Sequence, residues 1–279
     1  MTETGKEKSG STQDAAAPSD GLTNWSALTS LDYAGTQLVI IFGLAIAITI
    51  GLELLIRALE IPTYVFPKPS EIGAALVNNS STLGPHFAGT MRNLLIGYTI
   101  GATSGIVLAA VITQFPFAEK VVTPYILILV TTPMMALVPL LILQFGFGDM
   151  PQIIAITLAV GPMVMINSAT GFRRTDAEKL ALARLYGATT FQIFAKVRFP
   201  LALPMIIVGL MVGGIFGLLT AVGAEMVGGG SGLGNRLMYY SSLARMDSFF
   251  SVLVIISTIG VSLYVLFYFI GNKWASWEA

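Results

Sequence analysis

The chain has 279 residues, of which 54% are hydrophobic and only 11% charged, with a mean hydropathy of +0.78. That balance is too apolar for an ordinary soluble domain and points to an all-α integral membrane protein. Fifteen Lys and Arg offset fifteen Asp and Glu, so charge makes no case for nucleic-acid binding, and the absence of cysteine excludes disulfides, thiolate nucleophiles and Cys-ligated metals.

Residues 1–20 are polar and without hydrophobic periodicity, and predict a disordered tail carrying Lys6 and Lys8. Leu22 to Leu31, with Trp25, either lies along the membrane surface or is a linker, so residues 1–35 form a disordered or interfacial tail and 36–279 the transmembrane domain. A first span is predicted from Gln37 to Ile56, with Glu53 in its last turn near the interface. The Pro-rich segment from Ile61 leads to a short amphipathic helix capped by Ser70. His86 has no second His or acidic cluster at ligand spacing and reads as structural, so no metal site is expected.

The second span, Asn93 to Thr113, carries Gly97, Gly101 and Gly105 on one face, and the fifth, Leu203 to Met226, repeats the stripe with Gly209, Gly213 and Gly217. Both stripes predict packing seams where another backbone comes close. The third span, Val121 to Phe147, holds Pro124, Pro133 and Pro139 and is predicted to be kinked or broken, as suits a pathway that must open. Met134, Met135, Met163, Met165, Met205 and Met211 either pack the core or line an adaptable cavity, with Met134 and Met135 the pathway candidates. The fourth span runs from Gln152 to Thr170 and contains Pro162 and Asn167. Glu225, near the end of the fifth span, is either a gate residue or a carboxylate held by the amides of Gly228 to Gly232. Asn235 to Ser248 is predicted to be an outer loop displaying Tyr239, Tyr240 and Arg236. A sixth span, Phe249 to Gly271, precedes Lys273, Trp274 and Trp277 as interfacial anchors.

Between spans four and five lies the one long charged amphipathic segment, Gly171 to Pro204. Thr175 and Glu178 form a capping-box pattern that predicts a helix from near Asp176 to about Tyr186, closed by Gly187. Thr189 and Gln192 form a second such pattern, for a short helix that Pro200 should stop. Two short helices at a glycine elbow are therefore expected, bearing Arg173, Arg174, Lys179, Arg184, Lys196 and Arg198, six of the fifteen basic residues. The positive-inside bias places this loop, both termini, Lys6, Lys8 and Lys273 in the cytoplasm, and the Pro-rich and Gly-rich loops outside.

Asp176, Ala183, Gly187, Ala188, Phe194, Val197, Pro200, Ala202, Leu203 and Pro204, at this spacing, resemble the cytoplasmic EAA loop of ABC importer permeases. Ala181 stands where the family usually has the Glu of that motif, and Leu182 follows in place of an Ala. The Pro-rich segment is similar to the nitrate, sulfonate and taurine branch, a likeness that related branches taking up thiamin precursors, riboflavin or aromatic acids share, and Ala224-Glu225-Met226 followed by Ser231 to Gly234 resembles the same permeases. The resemblance implies a six-helix type I importer permease fold in the bacterial inner membrane. It also implies a homodimeric pore, ABC ATPase subunits docked on the loop, and a substrate-binding protein outside. Asp176, Ala181, Ala183, Arg184, Gly187, Ala188, Phe191 and Phe194 would be the ATPase-coupling residues. No phosphate-binding GxxxxGK[ST] occurs, so ATP and magnesium would belong to the partner and this subunit would not itself be an enzyme. The alternative is a gradient-driven secondary transporter working alone, for which Glu225, and less so Glu53, would carry ion coupling.

Overall fold

A computed structural model describes residues 35–274, and among these every regular element is helical. The expectations for the N-terminal tail and for Trp277 fall outside the described residues. Helix α1 (Gly35–Ala58) straddles two compact units: its first part, up to Ile48, is an apolar helical stretch of the first unit, and the second unit runs from Thr49 onward. In that second unit follow α2 (Pro69–Asn78), α3 (Ser80–Gln114), α4 (Pro116–Thr131), α5 (Met134–Phe145) and α6 (Asp149–Arg173). Then come α7 (Ala177–Leu185), α8 (Thr190–Ile193), a π turn over Phe194–Arg198, α9 (Phe199–Gly228), α10 (Leu233–Ser242) and α11 (Met246–Trp274). Among the described residues five helical segments are each long and apolar enough to cross a membrane, and α4 with α5 make a sixth if counted as one bent span.

The bundle is built around α6. Ideal Cβ atoms added to Gly97, Gly101 and Gly105 of α3 would lie 2.7 Å from Ile156 Cβ, 2.8 Å from Thr157 O and 2.5 Å from Gly161 O, so the two backbones touch and no larger residue fits unless the helices separate. Because the numbers rise together on both helices, α3 and α6 are parallel. On the other flank Gly209, Gly213 and Gly217 of α9 meet Asn167, Val164 and Val160 in descending order, so α9 is antiparallel to α6. In the same way Phe267 faces Gly214, Leu218 faces Gly260 and Ile207 faces Gly271, which makes α11 antiparallel to α9. The two larger buried clusters among the described residues fill the space between these seams. One is centred on Ile156, Val160, Leu218 and Val252, and the other, toward the charged loop, on Met165, Phe172, Ala202 and Ile206.

Parallel packing of α3 and α6 has a topological result. The end of α3 and the start of α6 lie at opposite ends of the bundle, so α4 and α5 together must carry the chain back along its length. They do so as a broken path with a bend of 97°. Of the three prolines expected to distort this stretch, only Pro133 sits at the break; Pro124 and Pro139 stay inside α4 and α5. Thr132, held extended by the proline that follows it, ends α4 at ψ 124°.

Three local expectations are corrected. The helix after the Pro-rich segment begins at Pro69 with Lys68 as its cap, not Ser70. The Ser70 amide and hydroxyl instead donate to the Glu53 carboxylate at 3.0 and 2.7 Å, joining the end of α1 to the start of α2. The expected outer loop from Asn235 is largely the helix α10, in which Leu237 and Tyr240 are buried, because its apolar side closes over α3 and α11. Pro200 does not end the helix of the charged loop. The Phe199 amide bonds to the Phe194 carbonyl, a wide π turn that makes room for the proline ring, and the helix continues into α9. Inside a bilayer a clean break would expose backbone groups to hydrocarbon, whereas a π turn keeps most of them bonded.

Candidate functional site

The charged loop folds into an elbow at the α6/α9 end of the bundle. Asp176 caps α7 by backbone geometry and pairs with Lys179 at 2.8 Å, while the Thr175 hydroxyl turns back to the Phe172 carbonyl at 3.3 Å, so the first capping box does not close. The C-terminal stop does form. Gly187 adopts φ +75°, its amide bonds to the Arg184 carbonyl at 2.9 Å, and the Ala188 amide reaches the Ala183 carbonyl at 3.1 Å, the double bond of a Schellman motif. Immediately after it the Thr189–Gln192 box closes with bonds of 2.9 and 3.3 Å. Replacing Gly187 by Ala puts a Cβ into a left-handed conformation at a cost of about 1–2 kcal/mol. The expected result is faster hydrogen exchange at Ala188 with unchanged exchange in α6.

This backbone presents apolar side chains to solvent. Leu185 and Tyr186 are each 84% exposed and Phe191 78%, with Leu182, Ala181 and Arg184 exposed beside them. Phe194 is different: half-buried, it packs on Phe172 with ring centroids 5.1 Å apart and, with buried Ile193, anchors the elbow to the bundle. Ala183 and Ala188 are partly buried at the turn. Arg173 pairs with Glu119 of α4 at 2.6 Å, fixing the root of the loop. The candidate coupling residues thus divide into a rigid support and an outward patch.

At the opposite end, three consecutive amides at the start of α10 are captured by side chains that are buried, or in the case of His86 partly buried. Gly232 donates to His86 Nδ1 at 2.9 Å, Leu233 to Thr90 Oγ1 at 2.9 Å, and Gly234 to Glu225 Oε2 at 2.8 Å. The Thr90 hydroxyl donates in turn to Glu225 Oε2 at 3.0 Å. Glu225 is fully buried and its Oε1 has no partner. The carboxylate is therefore held by the first turn of α10 and by α3, not by the run Gly228 to Gly232. Nearby, Asn93 bridges Asp149 at 3.0 Å and Gln152 at 2.7 Å, and Arg92 pairs with Asp149. Thr90→Val keeps the shape but strands the Leu233 amide and half of the Glu225 bonding, each at about 1–3 kcal/mol. A lower unfolding temperature in detergent, with Thr90→Ser close to wild type, is the expected result.

The six methionines do not form one group. Met134, Met135 and Met163 line a cavity of about 340 Å³ at the break between α4 and α5, with Leu129, Phe216 and Thr220. Met165 is in the buried core, and Met205 packs against Gly171 at the elbow end. Met135 covers Gly223 of α9, and Glu225, two residues further, does not border the cavity. His86, Thr90 and Thr220 were not distinguished as site residues by their sequence. His86 and Thr90, four apart on one helical face, were the available signal, but their tertiary partners lie 135 or more residues away.

Residues 74–276 match the model of the family described as the binding-protein-dependent transport system inner membrane component. The chain belongs to that family. The permease is 29% identical over 203 residues to a Haemophilus influenzae protein named as an ABC transporter permease, covering 73% of this chain and 83% of that one. It is 29% identical over 181 residues to a Bacillus subtilis protein named as an aliphatic sulfonates transport permease, covering 65% and 66%. A riboflavin transport system permease of Chloroflexus aurantiacus is 26% identical over 220 residues, covering 78% and 82%. Among solved structures, an amino acid ABC transporter superposes with a TM-score of 0.57 at 19% identity, covering 71% of this chain and 94% of that one. The MetNI methionine ABC transporter in an inward-facing form gives 0.54 at 23%, covering 67% and 89%. These likenesses agree on the ABC permease fold.

Proposed function

We propose that this permease forms the pore of an ATP-driven importer as one of two identical copies, with a separate ATPase subunit docked on each elbow. The observation that carries this reading is the outward patch of Leu185, Tyr186 and Phe191, held at 78–84% exposure on a backbone stopped and restarted within four residues. Exposed aromatics on a flexible loop would be an aggregation hazard; on a fixed turn they suit insertion into a groove of a partner. Docking gives the motor a handle that continues through the π turn into α9.

Positive charge around the elbow sets it in the cytoplasm. The His86–Thr90–Glu225 cluster then lies toward the outside, where a substrate-binding protein would deliver solute, and α11 ends on the cytoplasmic side. The reading places the multi-pass chain in a bacterial inner membrane, with residues 36–279 as its transmembrane domain, 171–204 as its coupling loop, and ATP with magnesium confined to the partner. Its solute is a small oxyanion such as a sulfonate, taurine or nitrate, in line with the sulfonate permeases among its relatives. Purification of the solubilised chain with its loop intact is expected to retain an ATPase subunit in stoichiometric amount, and uptake in proteoliposomes to require ATP. Uptake driven by an ion gradient without an ATPase would overturn the reading.

A further inference from the structure

The cavity at the break in α4–α5 is lined by residues that carry polar groups without partners among the described residues. Thr132 and Pro133 are extended, at ψ 124° and 106°, which carries the amides of Met134 and Met135 away from the carbonyls four residues earlier that a continuous helix would offer them. They are the free amides at the N-terminus of the 12-residue α5, where the helix dipole is positive. An independent group from another helix borders the same cavity: Thr220 of α9 is 6% exposed, and its hydroxyl makes no hydrogen bond among the described residues. The Thr131 and Thr132 hydroxyls differ, being bonded to carbonyls of their own helix at 2.7–3.1 Å. No Lys, Arg, Asp, Glu or His lines the space. The 97° bend turns the carbonyl end of α4 away from the axis of α5, so the two helix ends do not cancel along one line.

We propose that the amides of Met134 and Met135 and the Thr220 hydroxyl form a charge-free binding site for a small oxyanion in the pathway of the permease. The site deepens the import reading, on which its role in transport rests. Helix N-terminal amides and a hydroxyl donor suit a sulfonate, carboxylate or nitrate group alike, because each presents several acceptor oxygens and needs donors rather than a full counter-charge. Met135 and Met163 close the apolar remainder of the cavity around the rest of the solute. A site without a fixed cation also releases its anion readily, as a pathway requires.

The test uses the natural absence of cysteine. Phe216→Cys places one thiol on the cavity wall, and its reaction with N-ethylmaleimide is followed in the full-length protein in membrane vesicles. Methanesulfonate is expected to slow the reaction, while dimethyl sulfone, of nearly the same shape but neutral, has little effect. Adding Thr220→Val should raise the methanesulfonate concentration needed for protection about tenfold or more, since a hydrogen bond to a charged group is lost. Thr220→Ser should restore it. Equal protection by both compounds, protection indifferent to Thr220→Val, or a thiol that never reacts would each overturn the site. Neither ATPase nor binding protein takes part, so these outcomes are separate from success or failure of the import reading.

Discussion

Replacing Tyr186 and Phe191 together with Asp is expected to abolish retention of the ATPase subunit while leaving the permease folded. Both side chains are nearly fully exposed, at 84% and 78%, so their loss removes little from the fold of the chain itself. Buried aromatic anchors at an interface typically contribute about 2 kcal/mol or more each. Two of them lost, with charges introduced in their place, weaken docking by about a thousandfold. Pull-down of the ATPase by immobilised permease measures this directly. Phe194→Ala is the contrasting variant. Its ring lies against Phe172, so it should loosen the support of the elbow and lower thermal stability as well as docking. If the double Asp variant retains its ATPase as the wild type does, the elbow is not the docking point and the proposed coupling fails.

A large effect on folding is expected at the seam between α3 and α6. In Gly101→Val the new Cβ would meet the Thr157 carbonyl oxygen at 2.8 Å and Val160 Cβ at 2.9 Å, both carried by a backbone that cannot move alone. Leaving glycine gains at most about 1 kcal/mol of helix propensity. Overpacking costs about 3 kcal/mol, so the clash decides the sign. Because α6 also carries the α9 seam, separation of α3 and α6 spreads through the bundle, and the variant should lose most of its monodisperse fraction in detergent. Gly84→Ala, on the same helix but with nothing within 4 Å of its Cβ position, should be neutral or slightly stabilising. Equal behaviour of the two variants would show that the seam does not hold the bundle.

Much of the elbow was legible because its signals are short-range. Gly187 and the Thr189–Gln192 pair specify backbone bonds within a few residues, and both form as their spacing predicts. The Thr175–Glu178 pair has the same pattern and does not close, since a neighbouring carbonyl, that of Phe172, takes the Thr175 hydroxyl. Pro200 misled for a related reason. A proline stops a helix whose freed groups can turn to water, but a π turn accommodates it where the helix must go on into an apolar span.

The amino-acid sequence by itself determined that this is a helical membrane protein, where its long apolar helices lie, and that a capped basic elbow separates two of them, because hydropathy and capping act over one helix length. Only the tertiary structure decided that both glycine stripes face α6, that α3 lies parallel to it, and that Pro133 is the proline at the break. The same holds for the capture of the first amides of α10 by His86, Thr90 and Glu225, from residues up to 146 positions apart. Such pairings depend on which surfaces meet. A stripe of small residues or a lone buried carboxyl states that a partner is needed; the packed backbone supplies which one.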